Sequence, residues 1–279
     1  MIYQVKKLTV IILNYKHTAD TVGCLNSLKR STGGKSVDYL IVDNSAEKPY
    51  QDELKSALPD ETIIFNQRNL GFAGGNNVAI SKAMREKAEY ILIINPDVRV
   101  GKSFFQPLLR HFSDSSVGIV APAIKHTQKD KTVYGLDGQV DWSLAKPQHR
   151  NLPTLTDTKT ISSQFVTFAC AILRADMVRK IGQLDTGYFM YFEDVDYCLT
   201  ARKKGFNIIL DPSVVVTHKT SSSFKRPTDK LPINFVSHLR FVFKWLKFPQ
   251  FIAPLLYILF LYPYLYLLWT YHLLKYPSR

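Results

Sequence analysis

A chain of 279 residues with 46% hydrophobic residues and a formal charge of +13 is long enough for one large α/β domain plus an appendage, and too apolar to stay disordered. The positive excess calls for an anionic partner. With no arginine-rich run and no RNA-stacking aromatic strand, nucleic acid is set aside in favour of a phosphate-bearing substrate or an acidic membrane face.

Residues 8–13 form a β-branched run, apolar on both faces and stopped by Asn14, which predicts a buried parallel strand. It is too short for a signal peptide, so no export signal is read. A helix over about 18–29 follows, then strands at 39–42, ending in Asp43-Asn44-Ser45, and at 62–65, ending in Asn66. The stretch Asn69 to Asn77, with Gly71, Gly74 and Gly75, precedes a helix expected over 75–87. Its glycines permit close backbone approach, and free amides there would face a diphosphate. The spacing is neither a dinucleotide fingerprint nor a P-loop, and a simple turn is the alternative. A strand at 90–94 closes with Asn95-Pro96-Asp97. Alternating strands and helices argue for a parallel sheet covered on both faces, with ligands outside the carboxyl ends of the strands. Asn14, Asp43 and Asp97 sit at those ends; any one of them alone reads as a turn former.

A helix over 103–112 and a strand over 117–122 lead into a polar, turn-rich region, 125–159, expected to be a loop or short hairpins and to form part of an acceptor pocket with Trp142 as a stacking residue. A strand over 165–173 and a short helix over 176–181 come next. The aromatic run Tyr188 to Phe192 then delivers Glu193, Asp194 and Asp196 onto the start of a helix ending near Gly205, whose Phe192, Val195 and Leu199 face inward. Strands at 206–210 and 214–217 end at His218, on the same side of the sheet as Asp97. A carboxylate at a strand tip suits a hard divalent cation, and His218 is either a second ligand or structural. Cys24, Cys170 and Cys198 stand singly, without metal-ligand or redox spacing, and suit a reducing compartment.

From Phe248 to Leu274 there is no Asp, Glu, Lys or Arg, so the segment is long and apolar enough to cross a bilayer. Pro249, Pro254 and Pro263 interrupt it, and its tyrosines and Trp269 prefer an interface. A helix lying in the headgroup region, a re-entrant pair and an oligomerisation pair therefore compete with a full span. Lys225, Arg226, Lys230, Arg240, Lys244 and Lys247 precede it and place the preceding domain on the cytoplasmic side.

Taken in order, Val10 to Tyr15, Ile41 to Ser45, Asn69 to Asn77, Asn95-Pro96-Asp97 and Gly187 to Leu199 resemble the motifs of inverting glycosyltransferases of family 2, most closely the rhamnosyltransferase branch. The resemblance implies an α/β GT-A fold: a Rossmann-like, mixed but mostly parallel sheet flanked by helices, with a hydrophobic C-terminal helical tail. Residues 1–225 would be the transferase domain, 1–100 its nucleotide-sugar half and 101–225 its acceptor half, and 226–279 would be a basic, membrane-associating tail. The resemblance further implies that Asp43 holds the nucleoside and that Asn14, Asn69, Gly71, Gly74, Gly75, Asn76 and Asn95 complete the nucleotide-sugar site. Asp97, with His218, would bind Mg2+ or Mn2+ on the diphosphate, and Asp194 would be the general base. Trp142, Tyr191, Glu193 and Asp196 are the acceptor-side candidates. Asn95 replaces the first carboxylate of the family's Asp-x-Asp motif, and the Gln-x-x-Arg-Trp pattern of processive synthases is absent, so one sugar per encounter is expected. The donor would be a nucleotide-diphosphate sugar, dTDP-rhamnose favoured, and the acceptor lipid-linked or a polysaccharide, met at an anionic membrane surface during cell-surface glycan synthesis. A metal-dependent nucleotidyltransferase and a non-catalytic membrane scaffold on the same fold are the alternatives.

Overall fold

The computed structural model describes residues 7–128, 131–219 and 226–275. In chain order these form β1 (Leu8–Asn14), α1 (Thr18–Arg30), β2 (Asp38–Asp43), α2 (Lys48–Ala57), β3 (Ile63–Phe65), α3 (Gly71–Arg85), β4 (Tyr90–Ile94), β5 (Val98–Arg99), α4 (Phe105–Leu109), β6 (Val117–Gln128), β7 (Lys131–Asp141), β8 (Lys146–Leu152), β9 (Ile161–Ser162), β10 (Cys170–Arg174), α5 (Ala175–Ile181), α6 (Glu193–Lys203), β11 (Asn207–His218), α7 (Leu231–Trp245) and α8 (Ile252–Lys275). The sheet runs β3-β2-β1-β4-β10-β6-β11-β5, with β7 and β8 extending from β6 and β9 lying on β11. Strands β1 to β4 are mutually parallel, and β10 enters antiparallel between β4 and β6. This mixed order brings the carboxyl ends of β1, β2, β4 and β11 and the start of β10 to one edge.

The sheet is a middle layer because its strands are apolar on both faces. In β1, Leu8, Val10 and Ile12 join one buried cluster with Cys24, Leu25 and Leu28 of α1, Leu54 of α2 and Leu108 of α4. Ile11 joins the other, with Ala79, Ile80 and Ala83 of α3, Met177 of α5 and Cys198 of α6. Burying such side chains on both faces contributes about 1.5–3 kcal/mol each, which is why a continuous apolar run settles in the centre of a sheet. All three cysteines are free and buried.

Two expectations, for the start of α3 and for the strands over 206–217, are corrected, and a third is specified. The helix predicted to begin near residue 75 begins at Gly71, so the glycine-rich stretch is its first two turns and not a loop. The 125–159 region, expected as a loop or short hairpins, forms hairpins: β7 pairs antiparallel with β6 and with β8. The two strands predicted over 206–217 are one, β11, with a register shift between Asp211 and Val215 where Pro212 interrupts the ladder.

The C-terminal stretch divides in two. Helix α7 is part of the main core: Phe241 and Val242 are fully buried in it, Ser237 Oγ donates to the Met190 carbonyl at 2.9 Å, and Lys244 Nζ and Trp245 Nε1 each reach Asp196 at 2.8 Å. Helix α8 touches the body along one side, through Ile258 and Tyr262, and leaves Phe260 and Leu267 at 76% and 68% exposure on the other. Residues 252–271 are long and apolar enough to cross a membrane.

Candidate active site

One cleft of about 860 Å³ opens at the sheet edge where the strand ends gather. Its floor takes Leu13 near the end of β1 and Tyr15 after it, Asn44 after β2, Asn95 and Asp97 after β4, and His218 at the end of β11. Asp97 and His218 come from opposite halves of the chain, and the short β5–β11 pairing, which sets His218 opposite Val98, puts the imidazole Nε2 3.0 Å from the Asp97 carboxylate. This is an oxygen–nitrogen pair suited to a divalent cation, with the remaining ligands left to phosphate oxygens and water. Among the described residues no cluster of three or more His, Cys, Asp or Glu capable of holding a metal is present.

The opposite wall is the start of α6. Tyr191 and Phe192 both have φ of 71°, a left-handed turn that is unusual for aromatic residues and swings Glu193 and Asp194 into the cleft. Asp194 accepts from the Val195 amide at 2.8 Å and from the Phe168 amide at 3.4 Å. Burial raises its carboxyl, opposed by nearby His149 and by these amides, and Glu193 is pushed much further up by burial and by the charge of Asp194. Glu193 Oε2 is buried without a hydrogen-bond partner, as suits the member of the pair that keeps its proton. Asp194 is the member whose anion the surroundings accept, through two backbone amides, and a carboxylate raised by burial suits a general base.

Of the predicted residues, Asn69, Gly71, Asn95, Asp97, Tyr191, Glu193, Asp194 and His218 line this cleft. Asn14 and Asp43 do not: both are fully buried, and Asn14 Nδ2 donates to Asp43 Oδ1 at 2.7 Å while Ser45 Oγ donates to Asp43 Oδ2 at 2.6 Å. Their carboxylate and amide brace the strand ends from behind. Gly74, Gly75 and Asn76 are buried within α3; a Cβ on Gly75 would lie 2.6 Å from Leu13 Cδ1, so this glycine serves helix–sheet contact. Nor are the amides at the head of α3 free for a diphosphate. Leu70 N donates to Asn44 Oδ1, Gly71 N to Asn69 Oδ1 and Phe72 N to the Phe189 carbonyl, at 3.0, 2.9 and 2.7 Å. Trp142 lies outside the cleft, stacked 6.0 Å from Phe241. Asp196 is only 2% exposed and fastens α6 to α7 through Lys244 and Trp245, so it offers no acceptor contact.

Other lining residues were not read as site residues from sequence: Asn44, Lys146 and His149 on β8, Lys230, Asn234, His238, and Tyr257, Leu261 and Tyr262 on α8. His238 is a junction. Its Nε2 donates to the Ala145 carbonyl at 3.0 Å, Tyr262 Oη reaches Nδ1 at 3.4 Å, and the ring stacks 4.8 Å from Phe192, the residue before Glu193. A carbonyl can only accept, so Nε2 carries the proton and Nδ1 is left as acceptor. Burial lowers its pKa to about 4 and keeps it neutral. The signal for it in sequence was slight, a lone histidine amid aromatics.

Comparison with known proteins follows this geometry. Residues 6–229 match the family model described as glycosyltransferase like family 2. The chain is 25% identical over 213 residues to the low-salt glycan biosynthesis hexosyltransferase Agl10 of Haloferax volcanii, covering 72% of this chain and 63% of that protein, a little under two thirds of the relative's length. It is 24% identical over 254 residues to the N-acetylglucosaminyl-diphospho-decaprenol L-rhamnosyltransferase of Mycobacterium tuberculosis, covering 80% of each. Among solved structures, GalNAc-T7 with UDP, GalNAc and Mn2+ superposes with a TM-score of 0.67 at 15% identity, covering 87% of this chain and 48% of that one. The mannosyltransferase PcManGT of Pyrobaculum calidifontis, with GDP-Man and Mn2+, gives 0.59 at 14% identity, covering 97% and 75%. The fold is GT-A, and with a family match across most of its length the chain belongs to the family 2 glycosyltransferases.

Proposed function

We propose that the chain moves one sugar, rhamnose favoured, from a nucleoside-diphosphate donor to a lipid-linked or polysaccharide acceptor with inversion, at the cytoplasmic face of a membrane. The observation that carries this is the single cleft in which the Asp194 carboxylate and the Asp97–His218 pair both appear. Asp97 and His218 would hold Mg2+ or Mn2+, which when bound offsets negative charge on the departing diphosphate. Asn69 and Asn95 offer amide groups to the donor, and Asp194 accepts the acceptor hydroxyl proton as that oxygen attacks the anomeric carbon. Attack from the side opposite the leaving group inverts the configuration. Rhamnose and a lipid-linked acceptor are supported by the relative whose name carries both.

The catalytic unit in this reading is residues 1–225 together with α7, which packs into the core and lends Asn234 and His238 to the cleft, and α8 attaches it to the membrane. Contact of α8 with the body from Ile258 and Tyr262 as far as Trp269, which lies 5.2 Å from Lys230, supports a helix lying in the interface over one that crosses the bilayer alone. The test is a panel of nucleotide sugars with Mn2+ or Mg2+ and a lipid-linked acceptor, reading the product released. Nucleoside diphosphate is expected; pyrophosphate would point to nucleotidyl transfer instead. Asp194→Asn should keep donor binding while transfer falls by about 10²–10⁴-fold. Unchanged turnover would remove Asp194 as base.

A further inference from the structure

The cleft continues past its carboxylates. Beyond Glu193 and Asp194 its lining passes to Lys146 and His149 of β8, to Lys230 and Asn234 at the head of α7, and then to Leu261 and its neighbours on α8. The two acids remote from the general base, Asp20 and Asp97, belong to the donor end. Among the described lining residues, the stretch contributed by β8, the head of α7 and α8 holds lysines and no Asp or Glu. Among the described residues neither Lys146 nor Lys230 is in a salt bridge: Asp141, opposite Lys146 in the ladder, has its carboxylate engaged by the Ser143 amide and hydroxyl at 3.0 and 2.6 Å, and Lys230 lies over the Trp269 ring at 5.2 Å. Trp269 belongs to the helix whose outward side exposes Phe260 and Leu267, so Lys230 stands where the polar cleft gives way to an apolar surface.

We propose that Lys146 and Lys230 bind the phosphate or diphosphate linker of a membrane-anchored acceptor, whose hydrocarbon chain runs along α8 while its sugar reaches Asp194. This rests on the glycosyl-transfer reading of the same cleft. An ammonium is a compact point charge that accepts phosphate oxygens from several directions, which suits a flexible linker. A neutral glycolipid brings neither ammonium a phosphate oxygen, so the subsite selects for an anionic linker.

The probes are farnesyl diphosphate and farnesol, bound to the full-length protein in neutral detergent with EDTA and followed by tryptophan fluorescence. Farnesyl diphosphate is expected to bind at least tenfold more tightly. Lys146→Gln with Lys230→Gln should abolish that preference, Lys→Arg at both positions should restore it, and Asp97→Asn should leave it in place. Equal affinity for the two probes, or a preference that survives the double Gln variant, overturns the proposal. So does displacement of farnesyl diphosphate by phosphatidylglycerol at equal affinity, which would make the lysines headgroup contacts. Both lysines lie at the surface rim, and circular dichroism checks that the variants fold. Release of nucleoside diphosphate from a donor panel, measured on the wild type, tests the glycosyl-transfer reading separately: its absence sinks that reading, whereas donor turnover without the farnesyl preference sinks only this subsite.

Discussion

Replacing His238 with glutamine should flatten the acid sensitivity of the fold. The imidazole has an ordinary value of 6.5 and is lowered to about 4 in the folded chain, where it is only 3% exposed. The folded state therefore prefers the neutral ring; this contribution is complete above the unfolded value and is lost as pH falls toward the folded one. The full separation corresponds to about 3 kcal/mol, of which about 1.3 kcal/mol is lost between about pH 7.5 and about pH 5.5. In a chain of this size that is a drop in Tm of about 2–3 °C. Glutamine keeps a donor for the Ala145 carbonyl and does not titrate. Thermal melts of both proteins at the two pH values, in neutral detergent, give the difference of differences. The raised carboxyls of Glu193 and Asp194 act with the opposite sign, gaining stability as pH falls, but they do so in both proteins and cancel. An identical acid loss in wild type and His238→Gln would refute the assignment of a buried neutral imidazole.

Gly71→Ala places a Cβ against the Phe189 carbonyl at a φ of +71°, and should cost about 1–3 kcal/mol while lowering turnover through the adjacent 189–192 turn; thermal melts and initial rates check both. Asp196→Asn should lower stability by about 1–3 kcal/mol, Lys244 keeping Asp185 as a partner at 2.8 Å, yet leave the acceptor KM unchanged; a raised KM would return Asp196 to the acceptor site. Asp97→Asn and His218→Ala should each weaken metal-dependent nucleotide binding by at least about tenfold, a calorimetric titration with and without Mn2+ being the measure.

How much of this was legible in the chain depended on whether the signal was local. Strands β1, β2 and β4 announced themselves because both of their faces are buried, leaving unbroken apolar runs ended by Asn14, Asp43 and Asn95. Strands β7 and β8 did not, since one is broken by Gly135 and Gly138, the other opens Lys146-Pro147, and β8 is mostly exposed. Glycines at 71, 74 and 75 looked like a loop because propensity disfavours them in helices. What decided otherwise was tertiary: Phe189 and Leu13 press so close that no side chain fits. The same holds for the site. Asp97, Asp194 and His218, singled out from residue type, strand-end position and the family resemblance, line one cleft, but the burial of Asp43 behind Asn14 and Ser45, and the clasp of Asp196 by Lys244 and Trp245, exist only once distant elements have met.

The joining of Asp97 to His218 by β5 and β11 also sets an order on assembly. Strands β1 to β4 lie early in the chain and pair among themselves, whereas the histidine arrives only after the β6–β11 ladder has closed. A ribosome-bound nascent chain would thus present strand ends with an incomplete cation pair until nearly the whole domain has emerged. Under the proposed function, a metal held by this pair would load late in biosynthesis, after the long-range pairing of β11 with β6 and β5.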